Sequence, residues 1–120
     1  MVRIFKLSDT EQITKKGYTA SYVADIVFRE NLDTGGFILV TISPGGKSEP
    51  HAHAELEEIF VALSNVRMYI DSVEYELEKG DVILVAPNES HSFEAPVTTE
   101  AQLLAIKFPN LKRDKITIDN

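Results

Sequence analysis

The sequence has no cysteine. Without thiols there is no disulfide framework and no thiolate ligand, so any metal ion must be held by nitrogen and oxygen. The same absence fits a reducing compartment, and the expected location is the cytoplasm. Long apolar runs are missing as well. Nothing approaches the roughly eighteen residues of a membrane span, and Met1 to Thr10 lacks the apolar core of a secretory signal, so no membrane partner is expected. Positive charge is in deficit, with 12 Lys and Arg against 19 Asp and Glu, a formal net charge of −7. The acids are spread along the chain rather than gathered in a tail, which argues against a nucleic-acid partner.

What remains is 120 residues with 43% apolar and 26% charged side chains. That suits one domain over residues 1–120 with a single hydrophobic core. Arg3 to Leu7 and Tyr22 to Phe28 read as strands, with Lys15-Lys16-Gly17 as a polar break between them. Asp33-Thr34-Gly35-Gly36 has turn chemistry and leads into a strand over Phe37 to Ile42. Ala54 to Glu58 holds good helix formers, so a short helix is an alternative there. Ile59 to Leu63 and Val66 to Ile70 are strand-like and meet at Ser64-Asn65, where asparagine can adopt the left-handed conformation of a tight hairpin. Asp71-Ser72 turns into Glu74 to Leu77, and Lys79-Gly80-Asp81 turns into Val82 to Val85. Further strands are expected at His91 to Glu94 and Ala101 to Phe108, and the segment from Leu111 to Asn120 either adds an edge strand or hangs free.

Many short strands with turn signals between them, and little or no helix, predict an all-β sandwich or barrel. Ile59 to Leu63, Val82 to Val85 and Leu103 to Ile106 are apolar at both parities, so both faces should be covered. One face lines the interior. The other needs the N-terminal segment or a second subunit, and a homodimer is the expectation.

Histidine is scarce, and its placing is informative. His51 and His53 are two apart, so on a strand both project from one face and can grip one ion. Taken alone, such a pair is equally two polar residues on a wet strand. Glu55, Glu57 and Glu58 are near enough to complete a nitrogen and oxygen shell. The third histidine, His91, follows the turn-like run from Ala86 to Ser90.

On these residues the sequence resembles the cupin superfamily. The family's first motif is a glycine, five residues, His-x-His, three or four residues, a glutamate, six residues and a glycine. Gly45, His51, His53 and Glu58 match in register, and Asn65 stands in the last glycine's place. The second motif runs from a glycine through five residues to a Pro-x-Gly turn, then two residues to a histidine, then three to an asparagine. Gly80 and His91 match, while Ala86, Asn88 and Ala95 stand in the places of the proline, the second glycine and the asparagine.

The resemblance implies a small jelly-roll β-barrel with short N-terminal strands. It also implies one divalent transition metal, iron, manganese, nickel or zinc, held by His51, His53, Glu58 and His91. Strand parity carried on from His53 favours Glu57 as the carboxylate, and the register to Asn65 favours Glu58, which is the choice made. Three imidazoles and one carboxylate leave open positions for water, oxygen or a chelating small molecule. Phe60, Ala62 and Phe93 would wall the substrate pocket if Glu58 and His91 point inward. Arg29, Arg67 and Lys107 lie on or near strands and read as solvated surface charges, so no anion clamp is expected. The functional expectation is an enzyme of oxygenase type, dioxygenase-like. The alternatives are a binding or sensing module without turnover, and an isomerase or lyase using Tyr69 or Glu57 for proton transfer.

Overall fold

The computed structural model describes residues 7–27 and 34–117. Within them a single 3-10 turn at Leu7–Asp9 precedes eleven strands. These are β1 (Gln12–Lys15), β2 (Tyr18–Val27), β3 (Thr34–Ile42), β4 (His51–His53), β5 (Glu57–Ala62), β6 (Val66–Ile70), β7 (Val73–Leu77), β8 (Val82–Val85), β9 (His91–Glu94), β10 (Ala101–Phe108) and β11 (Lys115–Thr117). They form two antiparallel sheets, one of order β1-β2-β3-β10-β5-β8 and one of order β11-β4-β9-β6-β7. The sheets face each other as a jelly roll without closing into one continuous hydrogen-bonded barrel.

Alternation along the strands builds the core. On β3 the buried positions Ile38, Val40 and Ile42 alternate with half-buried ones, and on β10 Ala101, Leu103 and Ala105 do the same. From the facing sheet Val66, Met68, Ile70 and Phe93 fill the space between. Leu103 is completely buried, so truncating it to alanine should cost about 2–5 kcal/mol.

The outer face of the larger sheet carries a second apolar set. Leu39, Leu104, Val61 and Val82 lie side by side across β3, β10, β5 and β8, and Phe37, Ile106, Ile59 and Leu84 form the next row. Val82 and Leu84 are 63% and 57% exposed. This is the doubled apolar parity seen in the sequence.

Several local expectations change. The strand expected over Arg3 to Leu7 lies outside the described residues except for Leu7, which opens the 3-10 turn, and Arg29 also lies outside them. Gln12–Lys15 is a strand that sequence reasoning passed over, because it is mostly exposed and lacks apolar alternation. Gly35 and Gly36 are not a turn but the start of β3, paired with Ile26 and Asp25. A side chain at position 36 would displace the Asn110 side chain, which lies over this glycine. Ala54 to Leu56 forms no helix. Asn65 is not in the left-handed region; Asp71 and Ser72 are, with φ of 47° and 67°, which gives the hairpin between β6 and β7 its primed turn. Asn88 also takes φ of 67°, so in the glycine place of the second motif asparagine supplies the backbone shape that glycine would.

Candidate metal centre

Each of the four chemistry-bearing side chains is aimed by its strand. On β4 the two-residue spacing turns His51 and His53 to the same side. β9 lies beside β4 with His51 opposite His91, which brings the third imidazole alongside. The carboxylate comes from the other sheet: β5 alternates, with Glu57 exposed and Glu58 only 4% exposed, so Glu58 points inward above Phe60. Burial thus makes Glu58 rather than Glu57 the carboxylate that faces the three imidazoles. The loop between β4 and β5 resets the parity that would have favoured Glu57.

The four groups converge. One ligand atom from each of His51, His53, Glu58 and His91 can be chosen so that all lie within 4.8 Å of one another. Glu58 Oε1 is 3.2 Å from His53 Nε2 and 3.1 Å from His91 Nε2. Neighbouring ligands of an ion with bonds of about 2.1 Å are about 3 Å apart, so this spacing suits a shared cation. Hydrogen bonding points the same way. His91 Nδ1 lies 3.2 Å from the Glu89 carbonyl and His51 Nδ1 lies 3.4 Å from the Glu49 carbonyl. With the proton on Nδ1, His91 donates to that carbonyl and turns a bare Nε2 toward the centre. Glu58 Oε1 and His91 Nε2, buried and close, nevertheless make no hydrogen bond to each other or to any described residue. Two acceptor atoms facing each other in the interior repel unless a cation lies between them. The four residues could therefore hold a metal ion.

The electrostatics keep the donors in their ligating forms. Burial, reinforced by His91 and Lys115, lowers the His51 pKa to about 3, so the ring is neutral at ordinary pH. For Glu58 burial works to raise the pKa, but His53 and His91, when the metal-free rings carry a proton on Nε2, outweigh it and hold the carboxyl below the usual carboxylate range.

The cluster opens on a cavity of about 400 Å³. Phe60 and Phe93 border it, whereas Ala62 is buried in the core away from its wall. Tyr69 and Glu57 do not reach it: the Tyr69 hydroxyl donates to Glu94 Oε1 at 3.0 Å, and Glu57 is exposed. Their place is taken by residues that sequence reasoning missed. Tyr18 and Tyr22 line the cavity from β2, Lys15 from β1, Lys107 from β10 and Lys115 from β11. Lys107 is thus no solvated surface charge. A signal for it existed, since Lys107 continues the inward row of Ala101, Leu103 and Ala105 on β10.

Comparison with known proteins agrees with this fold. No curated protein sequence matches the chain. Among solved structures, a variant of Streptomyces PAC13 bound to uridine superposes with a TM-score of 0.79 at 12% identity, covering 99% of this chain and 92% of the other. Another structure of that protein describes Pac13 as a nucleoside dehydratase. KdgF from Halomonas gives 0.77 at 15% identity, with 93% and 97% covered. The polyketide cyclase RemF from Streptomyces resistomycificus gives 0.78 at 18%, with 100% and 87% covered. At these identities the likeness is one of fold. The family model for the cupin domain matches residues 38–107, which span β3 to β10 and include all four converging side chains. The chain belongs to the cupin family.

Proposed function

We propose that this cupin is a metal-dependent enzyme acting on a small molecule that enters the cavity and meets an ion held by His51, His53, Glu58 and His91. The convergence of four buried donor residues, three of which carry an unpartnered polar atom, beside an open cavity carries this reading. The ion would supply Lewis acidity at positions left open toward the cavity. The chain itself supplies enclosure by Phe60 and Phe93 and proton-bearing groups on the wall. Tyr18 packs edge-on against Phe93 with ring centroids 5.2 Å apart, and burial raises its phenol pKa, so the hydroxyl keeps its proton and can donate it as a hydrogen bond. Protonated phenols beside a Lewis acid favour elimination, ring closure or isomerisation over oxygen chemistry, and dehydratase and cyclase are the activities named for two of the structural neighbours. The oxygenase reading rests on the donor set alone.

The test is elemental analysis of the protein as purified, then incubation with neutral and anionic hydroxycarbonyl compounds in deuterated water. About one metal ion per chain, lost in His53→Ala, and deuterium incorporation or loss of water without oxygen uptake would support the proposal. Oxygen consumption would restore the oxygenase reading. Ligand binding without turnover would leave a binding module.

We also infer that the chain is a homodimer joined through the outer rows on β3, β10, β5 and β8, because a stripe of eight apolar residues including exposed Val82 and Leu84 favours removal from water. Light scattering should find a dimer in the wild type and a monomer in Leu84→Glu. A wild-type monomer would contradict it.

A further inference from the structure

The cavity mouth collects cations in a chain whose net charge is −7. Four lysines border it; Lys112 is paired with Asp25, and Lys15, Lys107 and Lys115 reach it from three different strands. Lys107 is the cross-strand neighbour of Glu58, and Lys115 is the cross-strand neighbour of His53, so both share the face of a proposed ligand. Lys15 is opposite Tyr18 at the end of the first hairpin, and its ammonium lies 5.9 Å from the Tyr18 ring and 5.7 Å from the Tyr22 ring. Among the described residues no carboxylate pairs with any of the three.

The acids that border the cavity are nearly all engaged elsewhere. Asp25 accepts from Asn110 Nδ2 at 2.6 Å and pairs with Lys112 at 3.2 Å. Asp114 accepts the backbone N–H groups of Glu55 and Leu56 at 2.7 and 2.9 Å. Glu58 faces two imidazoles. Glu11, exposed at the rim, is the acid left over. The ammonium groups sense each other: desolvation, followed by the charges of Lys15 and Lys107, lowers the Lys115 pKa. Lys15 is pulled the other way, because the phenols of Tyr22 and Tyr18 outweigh its burial and keep it protonated. Three cations beside a site suited to a further cation repel one another and any bound metal, and an anion placed among them removes that cost.

We propose that Lys15, Lys107 and Lys115 form an oxyanion-binding rim, so that the substrate of this site is an anionic small molecule whose carboxylate or phosphate sits on the lysines. The remainder of the molecule then reaches inward past Tyr18 toward the four converging donors. The proposal rests on the cavity being the substrate site, but its lysine part can be read without the metal. Ammonium groups make charge-assisted hydrogen bonds to either oxyanion, so the rim names the charge and the probes name the group.

The experiment is calorimetric titration of the metal-loaded protein with malonate, inorganic phosphate and glycerol, with metal content measured on every sample. At least one anion should bind while glycerol does not, and the anion that binds tells carboxylate from phosphate. The double variant Lys107→Gln, Lys115→Gln should weaken that binding about tenfold or more with metal content unchanged, and added salt should weaken it in the wild type. Lys79→Gln, an exposed lysine outside the cavity, should match the wild type. Unchanged affinity in the double variant, or no binding of either anion, overturns the rim. Wild-type protein without metal would overturn the metal reading separately, and the effect of the lysine variants on anion binding would still decide the rim.

Discussion

Two clusters of charge show how one residue class can serve opposite ends. On the outer surface Arg67 sits among three carboxylates, 2.7 Å from Glu74, within ion-pair distance of Glu76 and 3.1 Å from Glu94. At the cavity mouth three lysines stand without a carboxylate among the described residues. The first cluster is complete: its cation is saturated, and the Tyr69 hydroxyl also donates to Glu94. The second lacks its counter-charge, as does the pair of acceptor atoms on Glu58 and His91 below it. A saturated cluster belongs to the surface of the fold. An unsaturated one placed in a cavity is complete only when something binds, and that difference separates scaffold from site.

The comparison is broken most sharply by removing an unsaturated group. His91 is fully buried, so His91→Ala deletes a donor that solvent cannot replace. Metal content measured by mass spectrometry should fall to about a tenth of the wild-type value or less, since losing a ligand costs more than the 10- to 100-fold typical of outer-shell changes. Retention of a full equivalent would remove His91 from the ligand set. Next in size is Lys107→Glu, which puts an acid opposite Glu58. Affinity for the anionic probe should fall about a hundredfold while the metal is kept, because repulsion replaces attraction at the rim.

Acid supplies a third and smaller perturbation. His51 has its pKa lowered from 6.5 to about 3, so the folded state binds fewer protons than the unfolded chain between those values, and stability is lost as pH falls below about 6.5. Glu58 is lowered from 4.5 and adds loss of the same sign below that value. The melting temperature of the chelator-treated protein should therefore drop steadily from about pH 7 downward. His51→Gln should flatten the part of the curve above about pH 4.5. The smallest effect belongs to the saturated cluster: Arg67→Gln should leave metal content and anion binding at wild-type levels and move the melting temperature little, because exposed ion pairs contribute little net stability. A loss of anion binding in Arg67→Gln would erase the distinction between the clusters.

How much of this was legible in the sequence depended on the range over which each signal acts. His51 and His53 share a strand, and His91 lies in register after Gly80, so three of the four donors could be placed on the two motifs through the resemblance to the cupins. Glu58 could be separated from Glu57 only by a register counted downstream, since the connecting loop cancels parity. An all-β sandwich or barrel followed from short strands with turns between them, such as alternating β6, and the jelly roll from the resemblance of the two motifs to the cupins. β1 and β11 were obscure because they are short edge strands with exposed side chains and take their pairing from distant sequence. Lys115 faces inward only because β11 lies against His53, a relation no local pattern records. Lys107 was within reach by parity, but a lysine at a strand end ordinarily belongs to solvent. The rim was hidden for the same physical reason that it can act: its charges lie on strands far apart in sequence and meet only in the folded chain.

The central claim, that His51, His53, Glu58 and His91 together hold one ion, is tested most directly by X-ray absorption at the edge of the metal that purifies with the protein. The account predicts a first shell of nitrogen and oxygen only, with the outer scattering of three imidazoles, at one ion per chain. An absence of metal, or a shell showing no imidazole scattering, would contradict it.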